Sequence, residues 1–259
     1  MANMLVLDIE TAPKQAFVWS MWKQNIGLNQ LEKDGYVLCY CAKWLGDKKV
    51  QSDSIWDYEN YRANPEDDYN VIHSVWELLD QADVVIAHNG KAFDIPTLNA
   101  RFLIHGFQPP SPYKIVDTLK IARGKFRFTS NRLDALGLFL GEGRKINTGG
   151  FDLWRRVMDQ DDKAQAEMVK YCKQDVQLLE NIYLRLRAWD SYHPNIALYN
   201  EDNRPVCNVC GSEHVKKKGF AYTSTHKYQR YVCSDCGHNM KERKNCTGKE
   251  KAKSIRSSI

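Results

Sequence analysis

Residues 4–10 read Met-Leu-Val-Leu-Asp-Ile-Glu, an apolar run that closes on two carboxylates. The apolar part has to be buried, and the carboxylates resist burial. That conflict constrains the fold more than any other feature of the chain. A run this short reads as a buried strand that delivers Asp8 and Glu10 to its C-terminal end. Alternate residues of a strand share a face, so the two acids stand side by side. Facing a sheet interior, they would repel each other and lose hydration, and a divalent cation relieves both problems. On an edge or surface strand the same pair would simply be solvated.

The rest of the chain supplies a frame for such a strand. Residues 36–45 and 49–56 read as two further strands joined by a tight turn at Gly46-Asp47. A helix is expected over 70–81, an apolar strand over 84–90 and helical spacing through 96–103. Residues 114–119 read as one more strand and 131–140 as a helix. The clearest helix is 163–187, where Met168, Cys172, Val176, Leu179, Tyr183 and Leu186 form one apolar stripe. Early strands followed by alternating strands and helices indicate an α/β fold with a mixed sheet flanked by helices. No internal repeat of solenoid length is present. Periodicity fades around Pro194 and Pro205, so residues 1–190 are expected to form one domain, with a linker at 191–205. A cysteine module at 206–240 follows, then a lysine-rich tail at 241–259 too polar to fold alone and expected to be disordered.

Composition narrows the classes. A hydrophobic content of 43% excludes wholesale disorder. No stretch approaches the roughly 18 apolar residues of a membrane span. The N-terminus has no basic region ahead of a long apolar run, so no secretory signal is read and a reducing, cytoplasmic location is expected, with association to the nucleoid compatible. There, eight cysteines serve as thiols or metal ligands rather than disulfides. The net charge of +5 is split: residues 206–259 carry 12 of 37 Lys and Arg but 4 of 32 Asp and Glu, a net of +8, leaving −3 on residues 1–205. This asymmetry points to a polyanionic partner, most simply nucleic acid, against the plainer reading of a solvated tail.

Two further segments carry chemistry. In His88-Asn89-Gly90-Lys91-Ala92-Phe93-Asp94-Ile95-Pro96 a strand ends in a glycine turn and Asp94 opens a helix. Helix capping by Asp94 alone would explain that arrangement. In Tyr171-Cys172-Lys173-Gln174-Asp175, Tyr171 and Asp175 are one helical turn apart on a face bordering the apolar stripe. Local satisfaction of each group would explain that too.

Taken in order, the three segments resemble the motifs of the DEDD superfamily of 3′→5′ exonucleases, whose domain has a ribonuclease H-like fold. Asp8 and Glu10 match D-x-E, Asp94 matches N-x-x-x-F-D-x-P, and Tyr171 with Asp175 match Y-x-x-x-D. Tyr171, where the other branch carries His, is similar to the tyrosine subclass found in polymerase proofreading domains. The resemblance covers about residues 1–190, including Val116 to Gly141. It implies that Asp8, Glu10, Asp94 and Asp175 hold two Mg²⁺ or Mn²⁺ ions and that Tyr171 orients the attacking water. The residue types suit that role. Phosphodiester hydrolysis needs an activated water and a neutralised leaving oxygen, which two ions about 4 Å apart supply. Hard oxygen ligands suit these ions. By the same resemblance Thr11 contacts the 3′-terminal nucleotide. Asn89 and Lys91 lie at a strand end where ligands bind, with Lys91 placed to meet a phosphate. Phe93 either stacks on a base or packs behind Asp94. Asp117 reads equally as a supporting group or a cap, and His88 as structural. Arg123, Lys125, Arg127 and Arg132, with Phe126 and Phe128 interleaved, read either as a track for a strand backbone or as a solvated loop.

Cys207-Asn-Val-Cys210 and Cys233-Ser-Asp-Cys236 are two C-x-x-C pairs with 22 residues between them, each followed by Gly. Four such thiolates make a closed tetrahedral zinc site. A module this small has too little core to fold without metal. The pattern is similar to the zinc ribbons of some insertion-sequence transposases. Lys216, Lys217, Lys218, Phe220, Tyr222, Lys227, Tyr228, Arg230 and Tyr231 mix cations with aromatics, which suits nucleic acid, although ribbons also bind proteins. The sequence therefore predicts a metal-dependent 3′→5′ exonuclease acting on DNA, with single strands favoured, joined to a small C-terminal zinc ribbon and lacking any membrane association. A replication or recombination protein is a further expected partner. The alternatives are an RNA-trimming exonuclease and a catalytically inactive nucleic-acid-binding or recombination accessory protein.

Overall fold

The computed structural model describes residues 2–146, 149–201 and 204–256. It divides into two compact units, Asn3–Tyr183 and the described residues from Leu184 onward.

In the first unit, β1 (Met4–Thr11) is followed by a small hairpin of β2 (Gln15–Ala16) and β3 (Leu31–Lys33), then β4 (Val37–Trp44) and β5 (Gln51–Ser54). Next come α1 (Tyr69–Gln81), β6 (Val84–Ala87), α2 (Asp94–Ile104), β7 (Lys114–Asp117) and α3 (Thr118–Lys125). Then follow α4 (Leu133–Leu140), α5 (Phe151–Met158) and the long α6 (Asp162–Leu186). The five-stranded sheet has the order β5-β4-β1-β6-β7. β1 runs antiparallel to β4 and parallel to β6, and β6 runs parallel to β7, which is the mixed sheet the sequence predicts. Leu5, Val6 and Leu7 are all fully buried, so both faces of β1 are covered. The α6 stripe from Met168 to Leu186 is buried as its spacing predicts.

Three local expectations are corrected. The strand at 114–119 stops at Asp117, because the Asp117 carboxylate accepts from the amides of Leu119 and Lys120 and starts α3. The strand at 49–56 is only Gln51–Ser54, and Ile55–Asp57 turns as a 3₁₀ helix with Ser54 donating to the Asp57 carboxylate. Helix α5 and the β2–β3 hairpin were not predicted. α5 buries only Leu153 and Val157, too few to register as a period.

In the second unit, β8 (Val215–Tyr222), β9 (Lys227–Cys233) and β10 (Asn239–Asn245) form an antiparallel sheet in the order β10-β9-β8. A short helix, α7 (Lys249–Ser254), follows with no buried residue. Two expected boundaries move. Residues 196–199, read as linker, form a 3₁₀ turn whose Ile196 is buried and whose Ile196 amide donates to Asn208 O at 3.0 Å. Residues 241–245, read as disordered tail, continue β10, where Asn245 pairs with Tyr228. Backbone pairing recruits a segment whose charged side chains are all exposed. Among the described residues, no helix is long and apolar enough to cross a membrane.

Candidate active site

The site is built at the C-terminal end of β1. Asp8 lies opposite Cys41 and Glu10 opposite Cys39, and the register shifts just beyond, between Glu10 and Thr11. Asp94 is the first residue of α2 and is only 3% exposed, while Asp175 on α6 is 1% exposed. The turn before α2 is rigidly specified. Asn89 adopts a left-handed backbone with φ of 70°. A Cβ at Gly90 would meet the Ala87 Cβ at 2.3 Å, so only glycine fits there. The Asp117 carboxylate accepts from the amides of Asn89 and Lys91 at 3.1 and 3.2 Å. Asp117 thus both caps α3 and holds the turn that presents Asp94.

Bringing these carboxylates together has an electrostatic signature. Asp8 is pushed well above the usual carboxylate range, first by loss of hydration and then by Glu10, Asp94 and Asp175. Glu10 is pushed to about 8 by desolvation and by Asp175. Asp94 is pushed to about 7, chiefly by burial, and Asp175 is raised for the same reason. The four acids that sequence reasoning singled out therefore lie within electrostatic reach of one another and attract positive charge, and the carboxylates of Asp8 and Glu10 lie within 4.8 Å of each other.

One cation already answers. The Lys145 ammonium donates to the Asp175 carboxylate and to the Tyr171 hydroxyl, the latter at 3.0 Å, and lies 5.0 Å from the Tyr171 ring centre. Burial alone would lower the Lys145 ammonium, but the Asp175 charge and these hydrogen bonds outweigh it and raise it. Sequence reasoning missed Lys145. A lysine among Gly141, Glu142, Gly143 and Arg144 carries no signal of its own. Tyr171 is further steadied by the edge of Trp154 from α5, with ring centres 6.3 Å apart. Burial raises the Tyr171 phenol far above its ordinary value, so it stays protonated.

The donor set fits hard divalent cations. The four acids offer oxygen only, and the buried Asp175 Oδ1 has no hydrogen-bond partner. The Cys172 thiol also lies beside Asp8 and Glu10, with the three ligand atoms within 4.8 Å of one another. Burial pushes that thiol well above its usual range, so it remains a neutral S–H group rather than a thiolate ligand.

Thr11 sits at the register shift beside Glu10. Phe93, immediately before α2, is 44% exposed. Lys91 is exposed. His88 is held between Thr118 Oγ1 and Asn131 O at 2.9 and 3.1 Å, and burial lowers it to about 4, so it is neutral and structural. Asn89, Arg123, Arg132, Arg144 and Lys145 line an open cavity of about 1020 Å³. Lys125 and Arg127 are not among its lining residues, and Phe126 and Phe128 pack on each other with centres 5.3 Å apart.

In the second unit, the sulfurs of Cys207, Cys210, Cys233 and Cys236 lie within 4.8 Å of one another. The Cys207–Cys236 and Cys210–Cys233 separations are 3.6 Å, too long for disulfides. Gly211 and Gly237 follow each pair in left-handed conformations, closing the two knuckles. Val209, Val215 and Met240 complete its small core. His214 bonds Asp235 and His238 bonds Ala188 O, and among the described residues the ligand group consists of the four thiols alone. The cations and aromatics do interleave: the Lys227 ammonium lies 3.6 Å from the Phe220 ring centre and that of Lys241 lies 4.4 Å from Tyr228.

Residues 5–187 match a family model described as the RNase_H superfamily, and the chain belongs to that superfamily. No curated protein sequence matches it. Among solved structures, it is similar to the family B DNA polymerase from the hyperthermophilic archaeon Pyrobaculum calidifontis, with a TM-score of 0.51 and 15% identity. That likeness covers 73% of this chain and 25% of the polymerase, and shows shared fold.

Proposed function

We propose that the protein is a metal-dependent 3′→5′ exonuclease acting on DNA, with single strands its favoured substrate. The observation that carries this reading is the convergence of Asp8, Glu10, Asp94 and Asp175, from β1, α2 and α6, into one desolvated cluster. Mg²⁺ or Mn²⁺ ions held by these four acids would supply an acidified water and charge neutralisation at the phosphate and the leaving oxygen. The chain's own groups position the reactants. Tyr171 keeps its proton and orients the water through its hydroxyl, whose place is held by Lys145 and Trp154. Lys145 offsets negative charge beside Asp175. Thr11 and Phe93 border the 3′-terminal nucleotide, and Asn89 and Lys91 border its phosphate.

DNA is favoured over RNA by the resemblance to proofreading domains and by a structural neighbour that is a DNA polymerase. The four thiols bind Zn²⁺, and the ribbon they close, with its basic sheet, holds nucleic acid near the acidic catalytic unit, raising its local concentration. The polymerase likeness also keeps a replication or recombination protein as an expected partner. Asp175→Ala tests the reading: degradation of 5′-labelled DNA should disappear while DNA binding is retained. Full activity in that variant would remove the site assignment.

A further inference from the structure

The hairpin that follows β1 leaves an unusual set of side chains in water. Between β2 and β3, Trp19 is 97% exposed and Trp22 80% exposed, and Phe17, Val18, Met21, Ile26 and Leu28 are also exposed. Clusters of this kind mark interaction surfaces. The loop is not loosely attached. The Phe17 amide donates to Gln30 O at 2.9 Å, and the Gln30 side chain donates to Phe17 O and accepts from the Gly27 amide, both at 3.0 Å. Its base is thus fixed, and its aromatic side chains are held outward instead of collapsing on the sheet.

We propose that this hairpin is a stacking platform for the bases of a single-stranded nucleic acid whose 3′ end lies at the carboxylate cluster. The proposal rests on the nuclease reading above. Two observations select this occupant. First, the hairpin follows directly on the end of β1 that carries Asp8, Glu10 and Thr11, with β2 opening at Gln15, which ties the exposed tryptophans in sequence to the strand that delivers the carboxylates. Second, residues 15–31 contain no carboxylate, and their only charged side chain is Lys23, in a chain with 32 Asp and Glu. Glu32 on β3 is the hairpin's one carboxylate and is outnumbered by Lys23 and Lys33, so a polyanion meets no net negative charge there. Flat indole faces bind any base, because every base has a π-face to stack. The platform would grip sequence-independently, as stepwise digestion of arbitrary sequences demands.

The test uses the full chain, without Mg²⁺ or Mn²⁺, titrated with short oligothymidylate while tryptophan fluorescence is followed. Wild type should bind with quenching. The double variant Trp19→Ala, Trp22→Ala should bind about tenfold or more weakly, because two stacking faces are lost together. Trp19→Phe, Trp22→Phe should recover most of the affinity, because an aromatic face is restored. Equal affinity in wild type and the alanine variant would overturn the proposal. So would binding of anionic phospholipid vesicles, but not the oligonucleotide, by the wild type through these tryptophans. The two readings fail separately. A wild type that binds through these residues but never shortens the strand when Mn²⁺ is added overturns the nuclease reading and leaves the platform standing.

Discussion

Raising the pH of the protein without Mg²⁺ or Mn²⁺ is expected to weaken its fold, and adding either ion is expected to cancel the effect. In an unfolded chain Glu10 ionises near 4.5, whereas the fold raises it to about 8, and Asp94 moves from 3.8 to about 7. Below the unfolded values both states hold these protons and stability is full. As the pH climbs through the folded values, the unfolded chain has already shed protons that the fold still binds, and stability is lost. The loss runs at about 1.4 kcal/mol per pH unit for each group, so Glu10 alone accounts for about 5 kcal/mol between 4.5 and about 8. Even half of that lowers the melting midpoint of a unit this size by roughly 5–10 °C. Thermal melts by circular dichroism between pH 5 and pH 9, with zinc retained, read this directly. A divalent ion replaces the protons, so with Mn²⁺ the curve should flatten and the midpoint at pH 8 should rise. Glu10→Gln should raise the metal-free midpoint at pH 8, because an uncharged amide removes one repelling carboxylate. A metal-free midpoint that holds steady or rises from pH 5 to pH 8 would refute the reasoning, as would indifference to Mn²⁺.

Other outcomes follow from named contacts. Gly90→Ala pushes a methyl into Ala87 and should cost about 1–3 kcal/mol of stability while displacing Asp94, read as a lower melting midpoint with reduced turnover. Tyr171→Phe should fold normally but lower the cleavage rate about 100-fold, since only the orienting hydroxyl is lost. Asp68 is fully buried and accepts from Arg101, His105 and the Val37 amide, so Asp68→Ala should cost about 3–5 kcal/mol, measured by urea denaturation, by stranding the Arg101 charge. Cys210→Ser should lower bound zinc, measured by atomic absorption, and open residues 204–256 to protease.

How much of this could be read in the sequence depended on the range of each interaction. Asp8 and Glu10 were legible because strand alternation fixes their shared face within three residues. The α6 stripe was legible because twenty-five residues of one period leave little ambiguity. The end of β7 was misplaced because Val116 to Leu119 stay buried across the strand-to-helix junction, and only the Asp117 cap marks the change. Lys145 was invisible because its partners Tyr171 and Asp175 lie 26 and 30 residues away and meet it only in three dimensions. The exposed tryptophans were passed over for the opposite reason, since in sequence an indole reads as core. β10 was missed because its pairing with β9 is made by backbone, while its side chains advertise a solvated tail.

Metal-dependent cleavage from the 3′ end can be read on a single gel. Single-stranded DNA and RNA of the same sequence, labelled at the 5′ end, are incubated with wild type or Asp94→Ala, with Mg²⁺ or with EDTA. A ladder shortening from the 3′ end on DNA is expected with Mg²⁺ and wild type only. Strands left intact in every lane, yet retarded under native conditions, would contradict it and leave a nucleic-acid-binding protein on a nuclease fold.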